Sequence, residues 1–186
     1  EIARILQANS ATLQQRIEDL LRWNASAFAA QRVVRRPVEL GALIDGLVAA
    51  QQLQWRSRGL TVAVRGAPLT AELDPELLGS ALDNLLSNAI RFSPRGATIS
   101  IEVRSAGAAL QIDVADAGPG VPETDRARIF EPFYRGSLQP EDGLPGTGIG
   151  LSIVAETVRA HGGRVELLPS AHGACFRIEL PHALPD

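Results

Sequence analysis

The chain has 186 residues, of which 45% are hydrophobic and 21% are charged, a composition typical of a soluble globular protein. Its 18 basic and 21 acidic side chains give a formal net charge of −3, which excludes a broadly basic surface built for nucleic acid. A single cysteine, Cys175, excludes an internal disulfide, and no window approaches the roughly 18 apolar residues of a membrane span.

Residues 1–30 predict one long helix. The helix positions that step by four and three are mostly apolar, and they are Ile2, Leu6, Asn9, Leu13, Arg16, Leu20, Trp23 and Ala27. This is the spacing of a helix packed in a bundle, and one such helix cannot bury its own apolar stripe. We therefore expect a partner helix or a second copy of the chain, with packing on the next domain as the alternative. The basic stretch 31–38, closed by Pro37, is typical of a linker.

The remainder, residues 39–186, alternates helical and strand patterns. Helices are predicted over residues 40–59, 74–92 and 149–160, and strands over residues 60–64, 97–104, 108–115, 164–168 and 174–180. The acid at Asp74, followed by Pro75, is a helix-capping signal. Because short turns join neighbouring strands, we expect an α/β (α+β) two-layer sandwich, with a mixed, mostly antiparallel sheet covered by helices and preceded by the long bundle helix.

The predicted helix after Asp74 carries polar residues that its packing does not require. Asn84, Asn88 and Arg91 are spaced four and three residues apart, so they share a face at the edge of the leucine stripe. The carbonyl oxygen of an Asn side chain is a hard ligand that suits Mg²⁺, and an Arg one turn further on can meet phosphate oxygens. The alternative is a solvated helix edge.

A first glycine-rich motif, Asp116-Ala-Gly118-Pro-Gly120, comes directly after the predicted strand 108–115. A carboxylate at this position accepts hydrogen bonds only, so it can bind the exocyclic amine of an adenine. The glycines permit positive φ angles and a close approach of the backbone to a ligand. Most strings of this kind are simple turns, which is the alternative here.

The second glycine-rich motif is Gly146-Thr147-Gly148-Ile149-Gly150-Leu151. It begins the predicted helix 149–160, where exposed N–H groups and the positive helix end form a site for phosphate. It lacks the Lys-Ser/Thr of a P-loop and the preceding strand of a dinucleotide fold. Between the two motifs, Phe130-Glu-Pro-Phe133-Tyr134-Arg135 gathers three aromatic residues, which indicates the anchor of a lid over about residues 131–147.

Taken in order, these motifs resemble those of the sensor histidine kinases. The stretch 84–94 resembles their N box, 116–120 their first glycine box, 130–135 their F box and 146–151 their second glycine box. His161-Gly-Gly resembles the short glycine motif that follows. Within this resemblance, which extends over residues 39–181, residues 1–30 look like the second helix of the family's dimerisation hairpin.

The resemblance implies a Bergerat-type fold that binds ATP and Mg²⁺ under a flexible lid. It implies that Asn88 holds Mg²⁺, that Asp116 reads adenine, and that Asn84 and Arg91 lie near the phosphates as further catalytic residues. Arg91 stands where the family often has Lys, which keeps the charge and changes the geometry. The other implied nucleotide-binding residues are Phe92, Gly118, Gly120, Phe133, Tyr134, Arg135, Gly146, Thr147, Gly148, Ile149, Gly150 and Leu151.

The implied activity is transfer of the ATP γ-phosphoryl group to a His, for relay to an Asp of a response-regulator receiver domain. The three histidines, His161, His172 and His182, lie late in the chain and none precedes an acid, as the acceptor of the family does. With no Met and no signal peptide, the chain is expected to be a fragment that does not autophosphorylate, its acceptor His lying outside it. The resemblance further implies a homodimer joined through the hairpin and the cytoplasmic domain of an inner-membrane sensor, held to the membrane only by segments outside this chain.

Three alternatives stay open. ATPases of the same fold, such as DNA gyrase B and the heat-shock chaperones, need a Glu one helical turn before the Mg²⁺ ligand, and Asn84 at that position cannot take a proton from water. An anti-sigma-type serine kinase would lack the dimerisation helix and usually the F box. A nucleotide-sensing binding module would have lost site residues, and none is lost.

Overall fold

A computed structural model describes residues 17, 20, 21, 24, 25, 30, 32–66, 69–138, 140 and 146–181. The six described positions before residue 32 are helical, and the rest of the predicted helix 1–30 lies outside the described residues. The middle of the predicted lid and His182 also lie outside them.

The described elements alternate along the chain as follows. They are β1 (Arg36–Glu39), α1 (Leu40–Ala50), α2 (Gln52–Ser57), β2 (Thr61–Gly66), β3 (Thr70–Leu73), α3 (Pro75–Phe92), β4 (Thr98–Ala106), β5 (Ala109–Ala115), α4 (Glu123–Arg126), α5 (Gly150–Ala160), β6 (Arg164–Leu168) and β7 (Cys175–Pro181).

The main sheet has five strands in the order β2-β4-β5-β7-β6. Strands β2 and β4 are parallel, and the other neighbouring pairs are antiparallel. Helices α3 and α5 pack on each other and on one face of this open sheet. The predicted fold class, helices on a mixed and mostly antiparallel sheet, is therefore confirmed.

A second, two-stranded sheet pairs β1 with β3 in antiparallel register, from Arg36 opposite Leu73 to Glu39 opposite Thr70. The sequence pattern predicts a linker at residues 36–38 and predicts neither strand. Strand β1 has no strand-like pattern in the sequence, because it contains Pro37 and basic residues and only one of its side chains, Val38, is buried in the core.

The predicted helix 40–59 is interrupted at Gln51, which separates α1 from α2. The side chain of Gln51 is buried, and its Nε2 donates to Asp83 Oδ1 at 2.6 Å and to the Asp83 carbonyl at 3.2 Å. These bonds hold the turn against α3, and the spacing of apolar residues cannot predict them. The continuous helix of the sequence analysis is therefore wrong at this position.

Helix α3 begins and ends where its sequence predicts. Asp74 caps it by accepting the N–H of Leu77 at 3.1 Å, and Ser93 ends it in an extended conformation ahead of Pro94. Its buried residues form one stripe, consisting of Leu77, Leu78, Gly79, Ala81, Leu82, Leu85, Leu86, Ala89 and Ile90. This packing leaves Asn84, Asn88 and Arg91 half-buried at the edge of the stripe.

Candidate functional site

A cavity of about 270 Å³ opens between α3, the end of β5 and the start of α5. Helix α3 contributes Asn84, Asn88 and Arg91 to its wall, so the face predicted from their spacing is confirmed as one surface. Arg58 supports the last turn of this helix, because its guanidinium donates to the carbonyl oxygens of Arg91 and Ser93, each at 2.9 Å. No sequence motif indicates this role of Arg58.

Asp116 follows β5 at the opposite wall. Its Oδ1 accepts the N–H of Gly118 at 2.8 Å and the N–H of Ala174 at 3.1 Å, and no bond to Oδ2 is formed within the described parts of the chain. Burial raises the pKa of Asp116, and the two N–H donors offset this only in part, so the net pKa lies above the ordinary value for Asp. One oxygen is thus fixed by the protein, and the other remains an acceptor for a ligand.

The glycines around Asp116 are required by close backbone packing. A Cβ atom at Gly118 would lie 2.6 Å from the Phe92 carbonyl oxygen, which brings the Asp116 loop against the end of α3. Gly173 has φ +71°, and a Cβ atom there would overlap the carbonyl oxygen of Asp116. Gly173 and Ala174 were missed in the sequence because they lie 57 and 58 residues beyond Asp116, and only the pairing of β5 with β7 brings them together.

The start of α5 forms the third wall. Its N-cap residue, Ile149, makes no side-chain capping bond to the first N–H groups of the helix, and Gly150 and Leu151 in this first turn line the cavity. A Cβ atom at Gly150 would lie 3.0 Å from Asn84 Oδ1, and one at Gly146 would lie 2.7 Å from Arg91 Nη1. These glycines therefore bring the polar side chains of α3 next to an anion-binding helix end.

The predicted F box closes the remaining side. Gly148, with φ +77°, packs against the backbone of Phe133 and Tyr134, so the two flanks of the predicted lid touch each other. Phe133 itself has φ +64° and is 48% exposed, whereas Tyr134 lines the cavity. Tyr134 donates its hydroxyl to Asp125 Oδ1 at 3.0 Å, a partner that no sequence motif indicated.

Most of the predicted site residues meet at this cavity. Those that line it are Asn84, Asn88, Arg91, Phe92, Asp116, Gly120, Tyr134, Arg135, Gly146, Thr147, Gly148, Gly150 and Leu151. Gly118, Phe133 and Ile149 do not line it, because Gly118 packs on Phe92, Phe133 points outward in part, and Ile149 is buried in the core. Among the additional lining residues are Asp125, Ile129, Ala174 and Phe176.

The histidines lie apart from the cavity, as far as the structure describes them. His161 is buried, its Nε2 accepts the N–H of Asp74 at 3.1 Å, and its Nδ1 bonds to the Thr157 carbonyl at 2.8 Å. Two bonds tie the preceding segment to the same point, from the N–H of Val34 to Asp74 Oδ2 and from Arg35 to the His161 carbonyl, each at 2.9 Å. His161 therefore joins the ends of α3 and α5 that are remote from the cavity.

Within the described ranges, no group of three or more His, Cys, Asp or Glu residues is arranged to hold a metal ion. A metal at this cavity would need the amide oxygen of Asn88 together with ligands from a bound molecule. Mg²⁺ is commonly held in this way, by one or two protein oxygens, substrate phosphates and water. The donor set thus fits Mg²⁺ and does not fit a thiolate or imidazole metal.

Comparison with known proteins identifies a family and several relatives. The profile of the family described as histidine kinase-, DNA gyrase B-, and HSP90-like ATPase matches residues 73–184. Sensor histidine kinase GlrK of Escherichia coli (strain K12) is 37% identical over 182 residues, which are 97% of this chain and 38% of GlrK. Adaptive-response sensory kinase SasA of Nostoc sp. is 31% identical over 185 residues, covering 97% of this chain and 45% of SasA. The chain thus spans less than half the length of these relatives.

Solved structures give the same picture. Mycobacterial sensor histidine kinase MprB superposes with a TM-score of 0.70 at 29% identity, over 82% of this chain and all of that one. Full-length ShkA in complex with AMPPNP superposes with a TM-score of 0.78 at 28% identity, over 98% of this chain and 38% of ShkA. Of the helices described, none has the length and apolar character needed to cross a bilayer.

Proposed function

Because the chain belongs to the family of histidine kinase-, DNA gyrase B-, and HSP90-like ATPases, we propose that its cavity binds ATP as the catalytic domain of a sensor histidine kinase. The observation that carries the proposal is the convergence of Asp116, the Asn84–Arg91 face and the start of α5 on one cavity. An adenine acceptor, a metal ligand and a phosphate site are thereby combined in one place. We assign the catalytic domain to residues 36–186, which adds β1 to the predicted range 39–186, the linker to 31–35 and the lid to about 131–147.

Asp116 supplies the base specificity in this proposal. Its Oδ1 is held by two backbone N–H groups, which leaves Oδ2 to accept the N6 amine of adenine. Guanine carries a carbonyl oxygen at the corresponding position, so two acceptors would face each other. Phe92, Gly120 and Ala174 line the cavity together with Asp116.

The phosphates belong at the opposite wall. The uncapped N–H groups of α5 and the guanidinium of Arg91 provide positive charge there, and Asn88 offers an oxygen to Mg²⁺. Bound Mg²⁺ would neutralise developing charge on the phosphoryl oxygens. Phosphoryl transfer depends chiefly on such positioning and charge stabilisation.

The cavity favours transfer of the phosphoryl group over its hydrolysis. Asn84 donates its amide to the Ser80 carbonyl at 2.8 Å, and an amide cannot remove a proton from water. The carboxylates among the described lining residues are Asp116, whose second oxygen binds adenine in this proposal, and Asp125, both of whose oxygens accept hydrogen bonds. No lining carboxylate in the described residues therefore stands ready as a general base.

We assign the acceptor to a His on a dimerisation helix outside this chain, since neither described histidine lines the cavity. The whole protein would act as a homodimer through its helical hairpin and pass the phosphoryl group to an Asp of a response regulator. This chain would be a cytoplasmic domain of that protein, which would be an inner-membrane sensor. The names of GlrK and SasA, both sensory kinases, support this assignment.

The test is to measure binding and transfer separately. Calorimetry with Mg-ATP should give saturable binding, while incubation with [γ-³²P]ATP should leave the chain unlabelled and release little phosphate. Adding a dimerisation hairpin that carries its His should give acid-labile label on that partner. Failure to bind ATP would reject the proposal, and steady turnover on the order of 1 s⁻¹ would favour an ATPase. Stoichiometric label on His161, His172 or His182 would reject the acceptor assignment.

A further inference from the structure

Asp125 is a buried acid on the short helix α4, and its side chain spans two parts of the F-box region. Only 5% of the residue is exposed. Its Oδ1 accepts the hydroxyl of Tyr134 at 3.0 Å, and its Oδ2 accepts the N–H of Ser137 at 2.7 Å and the hydroxyl of Ser137 at 2.9 Å. One carboxylate thus holds both ends of the segment 134–137.

The segment 134–137 lies near the start of the predicted lid 131–147 and forms its base. Gly136, in its middle, packs closely on Asp125, because a Cβ atom would lie 3.0 Å from Asp125 Oδ2. The far end of the lid returns at Gly148, which packs on the carbonyl of Tyr134. The guanidinium of Arg128 also lies 4.4 Å from the centre of the Tyr134 ring.

The bonds to Asp125 favour its ionised form. The N–H and hydroxyl of Ser137, and then the hydroxyl of Tyr134, hold the pKa of Asp125 below the ordinary value for Asp. Burial and the bond to Asp125 raise the pKa of Tyr134, which keeps its hydroxyl protonated and able to donate. At neutral pH the acceptor and its donors are therefore in matching states.

We propose that Asp125 is a positioning residue for nucleotide binding, which fixes Tyr134 and Ser137 so that the base of the lid already forms one wall of the cavity. This inference rests on the proposed function. A wall that is ordered before binding spares the ligand the entropy cost of ordering it. Asp125 itself needs no contact with the nucleotide for this role.

The experiment compares Asp125→Asn with Glu123→Gln, a matched control on the same helix. Glu123 is 83% exposed and pairs with Arg126, away from the F box. Calorimetry should give Mg-ATP binding about tenfold weaker for Asp125→Asn, because the amide lacks the charge and keeps only one of the two acceptor oxygens, and unchanged for the control. Trypsin should cut the bond between Arg135 and Gly136 about tenfold faster in Asp125→Asn alone, because that bond lies within the released segment.

Two further variants and a stability measurement separate positioning from simple stabilisation. Tyr134→Phe and Ser137→Ala should each weaken Mg-ATP binding by about two- to fivefold and should decide the question if Asp125→Asn does not fold. Adding Tyr134→Phe to Asp125→Ala should cause little further loss, because the acceptor of the Tyr134 bond is already absent. A residue that only stabilises the fold would lower the urea midpoint and leave the affinity of the folded protein unchanged, which would overturn the inference. Absence of Mg-ATP binding by the unaltered chain would instead overturn the proposed function.

Discussion

Replacing Asp116 by Asn separates the two tasks of this carboxylate. The amide oxygen of Asn can still accept the N–H groups of Gly118 and Ala174, so the loop keeps its bonds. The second oxygen becomes an NH₂ group, which would meet the adenine amine as donor against donor. Losing a hydrogen bond to a charged acceptor costs ~1.5–3 kcal/mol. At about 1.4 kcal/mol per factor of ten, ADP should bind roughly 10- to 150-fold more weakly.

The same substitution should not destabilise the unliganded protein. Since burial raises the pKa of Asp116, the folded state disfavours its ionised form, and stability is reduced above the folded pKa. Asp116→Asn removes that charge, so its free energy of unfolding at neutral pH should equal or exceed that of the unaltered chain. The difference should shrink as the pH falls below the folded pKa and vanish below the ordinary pKa of Asp, where the carboxylate is neutral in both the folded and the unfolded state.

The assay is titration calorimetry with ADP and GDP, together with urea unfolding across the pH range. Asp45→Asn is the matched control, because Asp45 is exposed on α1 and does not line the cavity. The ratio of ADP to GDP affinity should fall in Asp116→Asn and stay constant in the control. Unchanged ADP affinity in a folded Asp116→Asn protein would refute the adenine contact and leave Asp116 as a residue of the turn.

Three further outcomes are expected. Asn88→Ala should weaken Mg-ATP binding by ~1.5–3 kcal/mol in calorimetry. If Asn88 is the metal ligand, EDTA should weaken ATP binding to the unaltered chain and cause no further loss in Asn88→Ala. Gly173→Ala should lower the melting temperature more than Gly107→Ala, because both sites have positive φ but only the first forces a Cβ atom onto the Asp116 carbonyl; equal shifts would contradict this packing. Burial alone would raise the pKa of Asp113, but the bonds from two arginines outweigh it and lower the net pKa. The stability that the ionised carboxylate contributes above its unfolded pKa should therefore be lost in urea titrations below about pH 4. The same stability should be missing at neutral pH in Asp113→Asn.

Local sequence signals predicted the parts of the site that lie within one element. The spacing of Asn84, Asn88 and Arg91 defines a helix face by geometry alone, and the start of α3 follows from its capping acid. These inferences need no knowledge of the rest of the fold. Helix α3 therefore matches its prediction almost residue for residue.

Contacts that depend on the path of the chain could not be predicted in the same way. The bond between Tyr134 and Asp125 joins residues in an irregular segment, where no periodicity relates them. Strands β1 and β3 have four residues each, too few for a clear alternation of apolar and polar side chains. The break at Gln51 arises from its bonds to Asp83 on another helix, and local helix propensity cannot predict such bonds.

The bond from Ala174 to Asp116 also affects the order in which the cavity can be completed during folding. Helix α3 and the β4–β5 hairpin involve neighbouring stretches of chain, so their closure entropy is small. The acceptor geometry of Asp116, by contrast, requires the register of β5 with β7, which closes a loop of about sixty residues. A folding intermediate without β7 would contain the phosphate-side residues Asn84 and Asn88 in their helix and an Asp116 still lacking its second backbone donor. The selectivity for adenine would therefore be acquired last, when β7 pairs with β5.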